Sequence, residues 1–357
     1  MLGRGIDQIH PHPGDPRIFE PDAASAALYR ELAENANGPI SSPVPFAYVW
    51  GDLLEELRAT KVDARVINLE TSITTSTQHL PKGINYKMNP ANIGALTALP
   101  VDCCTLANNH VLDWDRAGLI ETLATLEGAG IAHAGAGRNA EEAAVPAVIG
   151  LPGHSRILVF AFGSPSSGVP RDWAARADRS GVALLDELSK AALARIAARV
   201  RQVKQPGDLA IASIHWGGNW GYSVPREQQR FAHALIGDAG VDIVHGHSSH
   251  HPKGIEIYRG KPILYSCGDL VNDYEGIGGY ETYRSDLVLG YVVQCALPSG
   301  QLARLQLLPF QIKHFRLNHA SAEAIEWLRG MLERESAAFA SRVAFEVGEG
   351  KLNARWR

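Results

Sequence analysis

The chain has 357 residues, of which 45% are hydrophobic and 20% are charged, as expected for one elaborated globular domain. Its 34 basic and 38 acidic residues give a net charge of -4 without a long run of like charge, which argues against nucleic acid as a partner. No apolar run approaches the roughly 18 residues of a membrane helix and no signal peptide begins the chain, so we expect no membrane segment and a cytoplasmic location for the chain as given.

Short apolar or β-branched runs alternate with helical patterns along the chain, which is typical of a layered α/β fold. The predicted strands are residues 65–69, 101–106, 156–162, 208–215, 241–244, 262–266, 286–296 and 302–312. The last two are longer than the others, and we expect them to be antiparallel.

Four amphipathic helices are predicted from apolar residues that repeat at near four-residue spacing. The repeating residues lie within residues 119–126, 188–203, 231–236 and 325–332. Asp113 or Asp115 is the predicted cap of the first helix, Asp186 precedes the second, and Ser321 is the predicted cap of the last. We expect all four helices to pack on a sheet.

The four cysteines do not indicate a disulfide framework. Cys103 and Cys104 are adjacent inside an apolar run, while Cys267 and Cys295 lie in strand-like segments. We therefore expect reduced thiols in the core or near a site.

Polar residues of the types that bind metals follow four of the predicted strands. Glu70 ends the first, Asn109 and His110 follow the second, His215 ends another, and residues 245–251 contain four histidines. In layered α/β folds the carboxyl ends of strands share one edge, so we expect these groups to converge there.

The histidine-rich segment places imidazoles close together, and neutral imidazole is the commonest nitrogen ligand for Zn, Mn or Fe. A solvated histidine-rich turn is the alternative. His215 favours the metal interpretation because it enters from another strand end, followed by Gly217 and Gly218, which permit close backbone approach. His245 is expected to point to the opposite face from its neighbour and to support the core.

Glu70 and the segment Asn108-Asn109-His110 each allow two interpretations. A carboxylate at the end of a buried strand is costly unless it is paired or bound to a metal, but Glu70 could also begin a surface loop. The Asn109 side chain could bind a metal and His110 could donate a proton to a leaving oxygen, whereas the alternative is a turn that starts a helix.

Several motifs then occur in a fixed order along the chain. They are Asn68-Leu69-Glu70-Thr71, Ala107-Asn108-Asn109-His110, Gly135-Ala136-Gly137, His215-Trp216-Gly217, Gly246-His247 with His250, and Gly254-Ile255-Glu256. This succession resembles the CapA family, which is named for capsule or poly-γ-glutamate synthesis and is related to calcineurin-like metallophosphoesterases. On this resemblance, residues 1–315 form the CapA-type domain and residues 316–357 form a C-terminal helix and tail packed on it.

The resemblance implies an α/β fold built as a four-layer αββα sandwich of the metallophosphatase type. It also implies two divalent metal ions, Mn, Fe or Zn, between the sheets. The implied metal ligands are Glu70, Asn109, His215, His247 and His250. His110 is the implied proton donor, and His251 replaces His250 as a ligand if the loop register differs.

Further site residues are expected around this ligand set. Arg4 matches an arginine of the family that could contact an anionic substrate, and Asn68 is a second candidate for substrate binding. Lys87 could bind a substrate anion or be a solvated lysine. Asp113 and Asp269 are expected to orient histidines, although Asp269 could instead cap a turn.

The start of the chain departs from the family pattern. The family opens with Gly-Asp just before a Met-Leu-Gly-Arg-like turn, and that aspartate binds metal, whereas this chain begins at Met1-Leu2-Gly3-Arg4. We expect that the start codon was assigned inside the motif; a trimmed chain or a degraded first metal site are the alternatives. An upstream segment could also make the protein secreted or membrane-anchored.

The expected function is metal-dependent hydrolysis, with a phosphoester as the substrate that fits the implied chemistry best. The substrate would be an anionic small molecule or polymer. The alternatives are an amide hydrolase acting on poly-γ-glutamate and a non-catalytic accessory protein that binds an anionic polymer.

Overall fold

The computed structural model describes all residues, 1–357, as a mixed α/β protein with several sheets. Its strands are β1 (Arg17–Glu20), β2 (Ala23–Ser25), β3 (Val66–Asn68), β4 (Ser72–Ile73), β5 (Lys87–Met88), β6 (Cys103–Thr105), β7 (Ala132–Ala134), β8 (Ala136–Gly137), β9 (Ala147–Gly150), β10 (Arg156–Gly163), β11 (Gly181–Val182), β12 (Leu209–His215), β13 (Ile243–His247), β14 (Ile255–Tyr258), β15 (Lys261–Leu264), β16 (Leu287–Ala296), β17 (Gln301–Lys313), β18 (Arg316–His319), β19 (Ala344–Gly348) and β20 (Lys351–Arg355). The α/β class predicted from the sequence is therefore confirmed.

The α-helices lie between these strands and cover the sheets. They are α1 (Ala27–Asn37), α2 (Leu53–Thr60), α3 (Gly94–Ala98), α4 (Asp115–Gly128), α5 (Ala140–Ala144), α6 (Lys190–Val203), α7 (Arg226–Gly237) and α8 (Ala322–Ser336). No helix combines the length and the apolar character that crossing a lipid bilayer would require.

The largest sheet has six strands in the order β14-β15-β13-β12-β10-β9. Its four central strands, β10, β12, β13 and β15, are mutually parallel, and β9 and β14 run antiparallel at the two edges. The register places His215 beside Gly163 on one side and beside His247 on the other. The carboxyl ends of three neighbouring strands therefore lie at one edge.

The two faces of this sheet pack against different layers. Ala210, Ala212 and Ile214 of β12 face α6 and α7, whereas Ile211 joins the cluster that contains the three-stranded parallel sheet β3-β6-β7. Because both faces are buried, β12 is an almost continuous apolar run, and each fully buried isoleucine stabilises the fold by about 2 kcal/mol. Ser213 donates across the layers to the Thr105 hydroxyl at 3.2 Å.

The C-terminal part of the chain forms another sheet, in the order β16-β17-β20-β19, with β18 also paired to β17. The expectation of a helix and tail after residue 315 was incomplete, because residues 316–357 contain α8 and three strands. Two of these strands, β18 and β20, pair with β17. The proposed boundary at residue 315 stays a prediction.

The predicted elements agree with the structure more closely than the predicted caps do. All eight predicted strands are present, and the last two pair antiparallel as expected. Ser321 caps α8 by accepting from the Ala324 amide, as predicted. The predicted cap of α4 was wrong, because no side chain caps that helix. Asp186 precedes α6 as expected, and Ser189 caps it. The four cysteines are free, as predicted.

Candidate functional site

The candidate site lies where the carboxyl ends of the six-stranded and three-stranded sheets meet. His215 and His247 are the last residues of β12 and β13, Glu70 follows β3, and Asn109 follows β6. Parallel pairing within each sheet places these strand ends side by side. The structure thus brings together four of the side chains that the sequence suggested as metal ligands.

His215 and His247 form the centre of this cluster. Their Nδ1 atoms are 2.7 Å apart. The Nε2 atom of His215 lies 3.0 Å from the Asn109 amide oxygen and 3.6 Å from a carboxylate oxygen of Glu70. On its other side, His247 Nε2 lies 2.9 Å from the hydroxyl of Ser213. Every ring nitrogen of the pair therefore faces a polar atom.

Both rings are neutral at physiological pH. Burial lowers the pKa of His215 to about 3 and the pKa of His247 well below its usual value. When Nε2 of His215 donates to Asn109 and Nε2 of His247 donates to Ser213, both Nδ1 atoms carry lone pairs. In the other tautomer of His247, its Nδ1 atom donates to Nδ1 of His215 across the same 2.7 Å. A cation bound between the rings would select the tautomers that leave both Nδ1 lone pairs free.

Glu70 provides the negative charge of the cluster. The residue is 7% exposed, and burial raises the pKa of its carboxyl group. One oxygen accepts from the Asn68 amide at 2.9 Å, and Asn108 in turn donates to Asn68 and to the Leu69 carbonyl. Glu70 forms no ion pair with a lysine or arginine. A buried carboxylate of this kind is stabilised when a metal ion lies beside it.

The donor set of imidazole nitrogens, a carboxylate and an amide oxygen fits a divalent ion such as Zn, Mn or Fe by its chemistry. The residues that would hold such an ion are His215, His247, Glu70 and Asn109. As they are placed, no three His, Cys, Asp or Glu side chains surround a single point closely enough to bind one. Binding would therefore require small side-chain movements toward the ion.

His110 lies at the rim of the cluster and has a carboxylate partner. Its Nδ1 atom is 2.7 Å from Asp113, which is fully buried and also accepts from the Tyr86 amide and from Lys82. Burial lowers the pKa of His110 against the opposing effect of Asp113. The Asp113 contact at Nδ1 leaves Nε2 as the free nitrogen of the ring.

The loop after β13 places His250, and not His251, beside the cluster. The Nδ1 atom of His250 is 3.2 Å from Asp269, which also accepts from Asn272 at 2.9 Å. Burial acts to lower the pKa of His250, but Asp269 and Glu70 raise it overall. His251 instead stacks on Tyr283 with ring centroids 4.7 Å apart.

The turn between His247 and His250 is strained. Ser248 has a φ of 123°, a conformation that side chains other than glycine rarely adopt. Its hydroxyl donates to the Gly217 carbonyl at 2.9 Å, and the His250 amide donates to the Asn219 carbonyl at 3.0 Å. These contacts to the loop after β12 hold the turn, and with it the two histidines.

Arg4 lies in a buried ion-pair network and packs over Tyr86, whose ring in turn contacts His110. Its guanidinium donates to Asp273 at 2.6 Å and 2.8 Å and to Glu20 at 2.9 Å, and it packs over the Tyr29 ring at 3.5 Å. These carboxylates occupy the guanidinium in the structure. Contact of Arg4 with an anionic substrate stays a prediction.

The two other predicted substrate residues lie in different surroundings. Asn68 belongs to the cluster through its hydrogen bond to Glu70. Lys87 points its ammonium at the Trp114 ring, 3.8 Å from the centroid, and burial lowers its pKa. Substrate binding by these residues also stays a prediction.

Sequence reasoning missed two supporting residues. Ser213 lies two residues before His215, on the same face of β12, and contacts both His245 and His247. Its period-two spacing from His215 was a usable signal. Lys82 contacts Asn109, His110 and Asp113 from a polar loop. Nothing in its local sequence indicates this position.

A cavity of about 290 Å³ adjoins the cluster. Glu70, His247 and Asp269 line its polar end, and apolar residues such as Ile211 and Ile243 line the remainder. It runs between β3, which pairs only with β6, and β16, which pairs only with β17 among the strands. The polar cluster is therefore one end of a larger, mainly apolar cavity.

Comparison with known proteins adds a family match. Residues 1–274 match the family described as bacterial capsule synthesis protein PGA_cap. A Mycobacterium tuberculosis protein named probable polyglutamine synthesis accessory protein is 49% identical over 345 residues, which cover 96% of this chain and 90% of that protein. The PGA biosynthesis protein CapA of Bacillus subtilis is 26% identical over 247 residues, covering 69% of this chain and 60% of that protein.

Proposed function

The chain belongs to the PGA_cap family of bacterial capsule synthesis proteins, which confirms the predicted resemblance to CapA proteins. On that premise, we propose that it is a metal-dependent hydrolase that cleaves a phosphoester and serves capsule or polyglutamate synthesis. The link to polyglutamate comes from the names of its relatives.

One observation carries the proposal. His215 and His247 are neutral and turn Nδ1 atoms toward each other at 2.7 Å, while the buried carboxylate of Glu70 next to them lacks a lysine or arginine partner. A bound divalent ion would account for both features, because it would accept the Nδ1 lone pairs and offset the negative charge of the Glu70 carboxylate. A purely structural cluster would be expected to pair the carboxylate with a basic side chain.

The packing of layers supports the finer fold that the resemblance implies. Helices α6 and α7 cover one face of the six-stranded sheet, the three-stranded sheet covers the other, and α4 packs against β7. We propose that these four layers correspond to an αββα sandwich of the metallophosphatase type. The ligand cluster would then lie between its two sheets.

The chain's own residues have distinct roles in the proposed reaction. Bound divalent ions would supply Lewis-acid activation of water and of the substrate oxygens. The residues that would hold these ions are His215, His247, Glu70 and Asn109. His110 keeps Nδ1 on Asp113, which leaves Nε2 free to donate a proton to the leaving oxygen.

A second candidate function is non-catalytic binding of an anionic polymer in an accessory role. The name of the mycobacterial relative favours it, and so does the lack of three His, Cys, Asp or Glu side chains around one point. Cleavage of an amide in poly-γ-glutamate is a further alternative that the same metal chemistry allows.

The test is to load the purified chain with Mn²⁺ and to assay a generic phosphodiester, a phosphomonoester and a γ-glutamyl oligomer beside the His110→Ala variant. Hydrolysis of a phosphoester about 100-fold or more above that variant would support the proposal. Cleavage of the γ-glutamyl oligomer alone would show that the protein is an amide hydrolase and not a phosphoesterase. Rates equal to those of the variant on all three substrates would exclude the hydrolase and leave the accessory role.

A further inference from the structure

Lys82 is the one lysine that reaches the candidate site residues. Its ammonium lies 2.6 Å from the Asp113 carboxylate and 3.3 Å from Nδ1 of His110, and it donates to the main-chain carbonyl of Asn109. The side chain is 22% exposed, whereas Asp113 is completely buried. The bends at residues 81–83 thus attach the polar loop to the turn that carries Asn109 and His110.

The contacts of Lys82 lie on one side of His110 and Asn109. Lys82 approaches the Nδ1 side of His110, which Asp113 already occupies, and not the free Nε2 atom. Its hydrogen bond to Asn109 is made to the backbone, while the Asn109 amide oxygen faces His215. Lys82 therefore contacts neither the free Nε2 atom of His110 nor the side-chain amide of Asn109.

We propose that Lys82 is a positioning residue that sets the direction of two site groups at once. It compensates the charge of buried Asp113, which keeps that carboxylate as the acceptor for His110 Nδ1. It also fixes the backbone of Asn109, which keeps the Asn109 amide against His215. The catalytic part of this inference rests on the proposed hydrolase function; the structural part does not.

Lys204 offers a matched control outside the site. Its side chain is also 22% exposed, and its ammonium binds the buried carboxylate of Asp242 at 2.5 Å and the Gly240 carbonyl at 2.8 Å. The variants Lys82→Met and Lys204→Met each remove one lysine from a buried carboxylate, but Asp242 keeps a second partner in Lys261 at 2.6 Å. A loss of stability in either variant reports structure alone, so positioning is measured by the two readouts that follow.

The first readout needs no activity. In protein with isotopically labelled histidine, the proton between His110 Nδ1 and Asp113 should give a low-field NMR signal that the His110→Ala variant identifies. We expect Lys82→Met to shift or broaden this signal, Lys82→Arg to retain most of it, and Lys204→Met to leave it unchanged. An unaltered signal in folded Lys82→Met would overturn the proposal whether or not the protein is an enzyme.

The second readout uses turnover of the Mn²⁺-loaded protein. Lys82→Met should lower kcat about 10- to 100-fold with KM changed by less than about twofold, because misplacement of a proton donor affects the transition state more than binding. Lys82→Arg should restore part of kcat. A wild-type protein without turnover contradicts the proposed function, and the NMR result then decides the role of Lys82 alone. A larger effect on KM than on kcat would contradict positioning.

Discussion

The site contains two kinds of histidine that differ in their partners. His215 and His247 end buried strands, contact no aspartate and have lowered pKa values because of burial. His110 and His250 lie on the loops beyond the strands, and each places Nδ1 on an aspartate. The sheet thus holds rings without a carboxylate partner, while the loops hold rings whose direction an aspartate fixes. The aspartate prevails over burial in the pKa of His250, whereas burial prevails in the pKa of His110.

The largest expected effect separates the two kinds directly. His247→Ala should remove most of the bound metal, because it deletes a ligand, whereas His110→Ala should keep the metal and lower turnover by about 100-fold or more. Metal content after dialysis and turnover of Mn²⁺-loaded protein measure the two effects. His319→Ala, an exposed histidine outside the site, serves as the control. Equal metal loss in the His247 and His110 variants would refute the division of roles.

A second prediction concerns Glu70, the buried carboxylate beside His215. In metal-free protein, Glu70→Gln should raise the free energy of unfolding at pH 7 by about 1 to 3 kcal/mol, because a buried carboxylate without a basic partner is removed. Burial raises the pKa of Glu70, so the folded protein retains this proton at pH values where the unfolded chain loses it, and stability falls as pH rises. The stability advantage of Glu70→Gln over the wild type should therefore shrink below about pH 4.5, where the wild-type carboxyl group is protonated in both states.

Urea denaturation with a chelator, repeated with Mn²⁺, measures the free energy of unfolding of both proteins without and with metal. The wild type should gain stability from the metal, and Glu70→Gln should lose most of that gain. A Glu70→Gln protein that is less stable without metal would show that the carboxylate is satisfied within the fold.

A third prediction tests the loop histidines. Asp269→Asn should weaken Mn²⁺ binding by about 10-fold if His250 binds metal through Nε2, because Asp269 orients the ring through Nδ1. Calorimetric titration with Mn²⁺ measures the affinity. Asp286→Asn, which breaks an ion pair with Arg284 away from the cluster, is the matched change. An unchanged affinity would assign His250 to a role other than metal binding.

The smallest effect is expected at the turn between His247 of the sheet and His250 of the loop. Ser248→Gly should change stability by no more than about 1 kcal/mol, because relief of the strain at φ 123° offsets the lost hydroxyl bond to Gly217. Ser249→Gly loses its bond to the His251 carbonyl without relieving such strain and should cost about 1 to 2 kcal/mol. Thermal unfolding of the two variants side by side tests this difference.

The sequence by itself determined the strands and the polar residues that follow them. Residues such as His215 and His247 could be predicted to share an edge because an apolar run and its ending are local features, and parallel strands align their carboxyl ends. The family was also determined this way, since its motifs occur in order along the chain.

Only the tertiary structure decided which side chains support that edge. Lys82 is far along the chain from the β12 and β13 histidines, and the turn at Ser248 places His250, rather than His251, beside the cluster. Asp113 and Asp269, by contrast, were predicted from the sequence. The C-terminal strands were likewise missed: β19 and β20 form a short hairpin, and pairing of β20 with β17 joins that hairpin to the sheet. Contacts between distant segments depend on packing, which local periodicity does not encode.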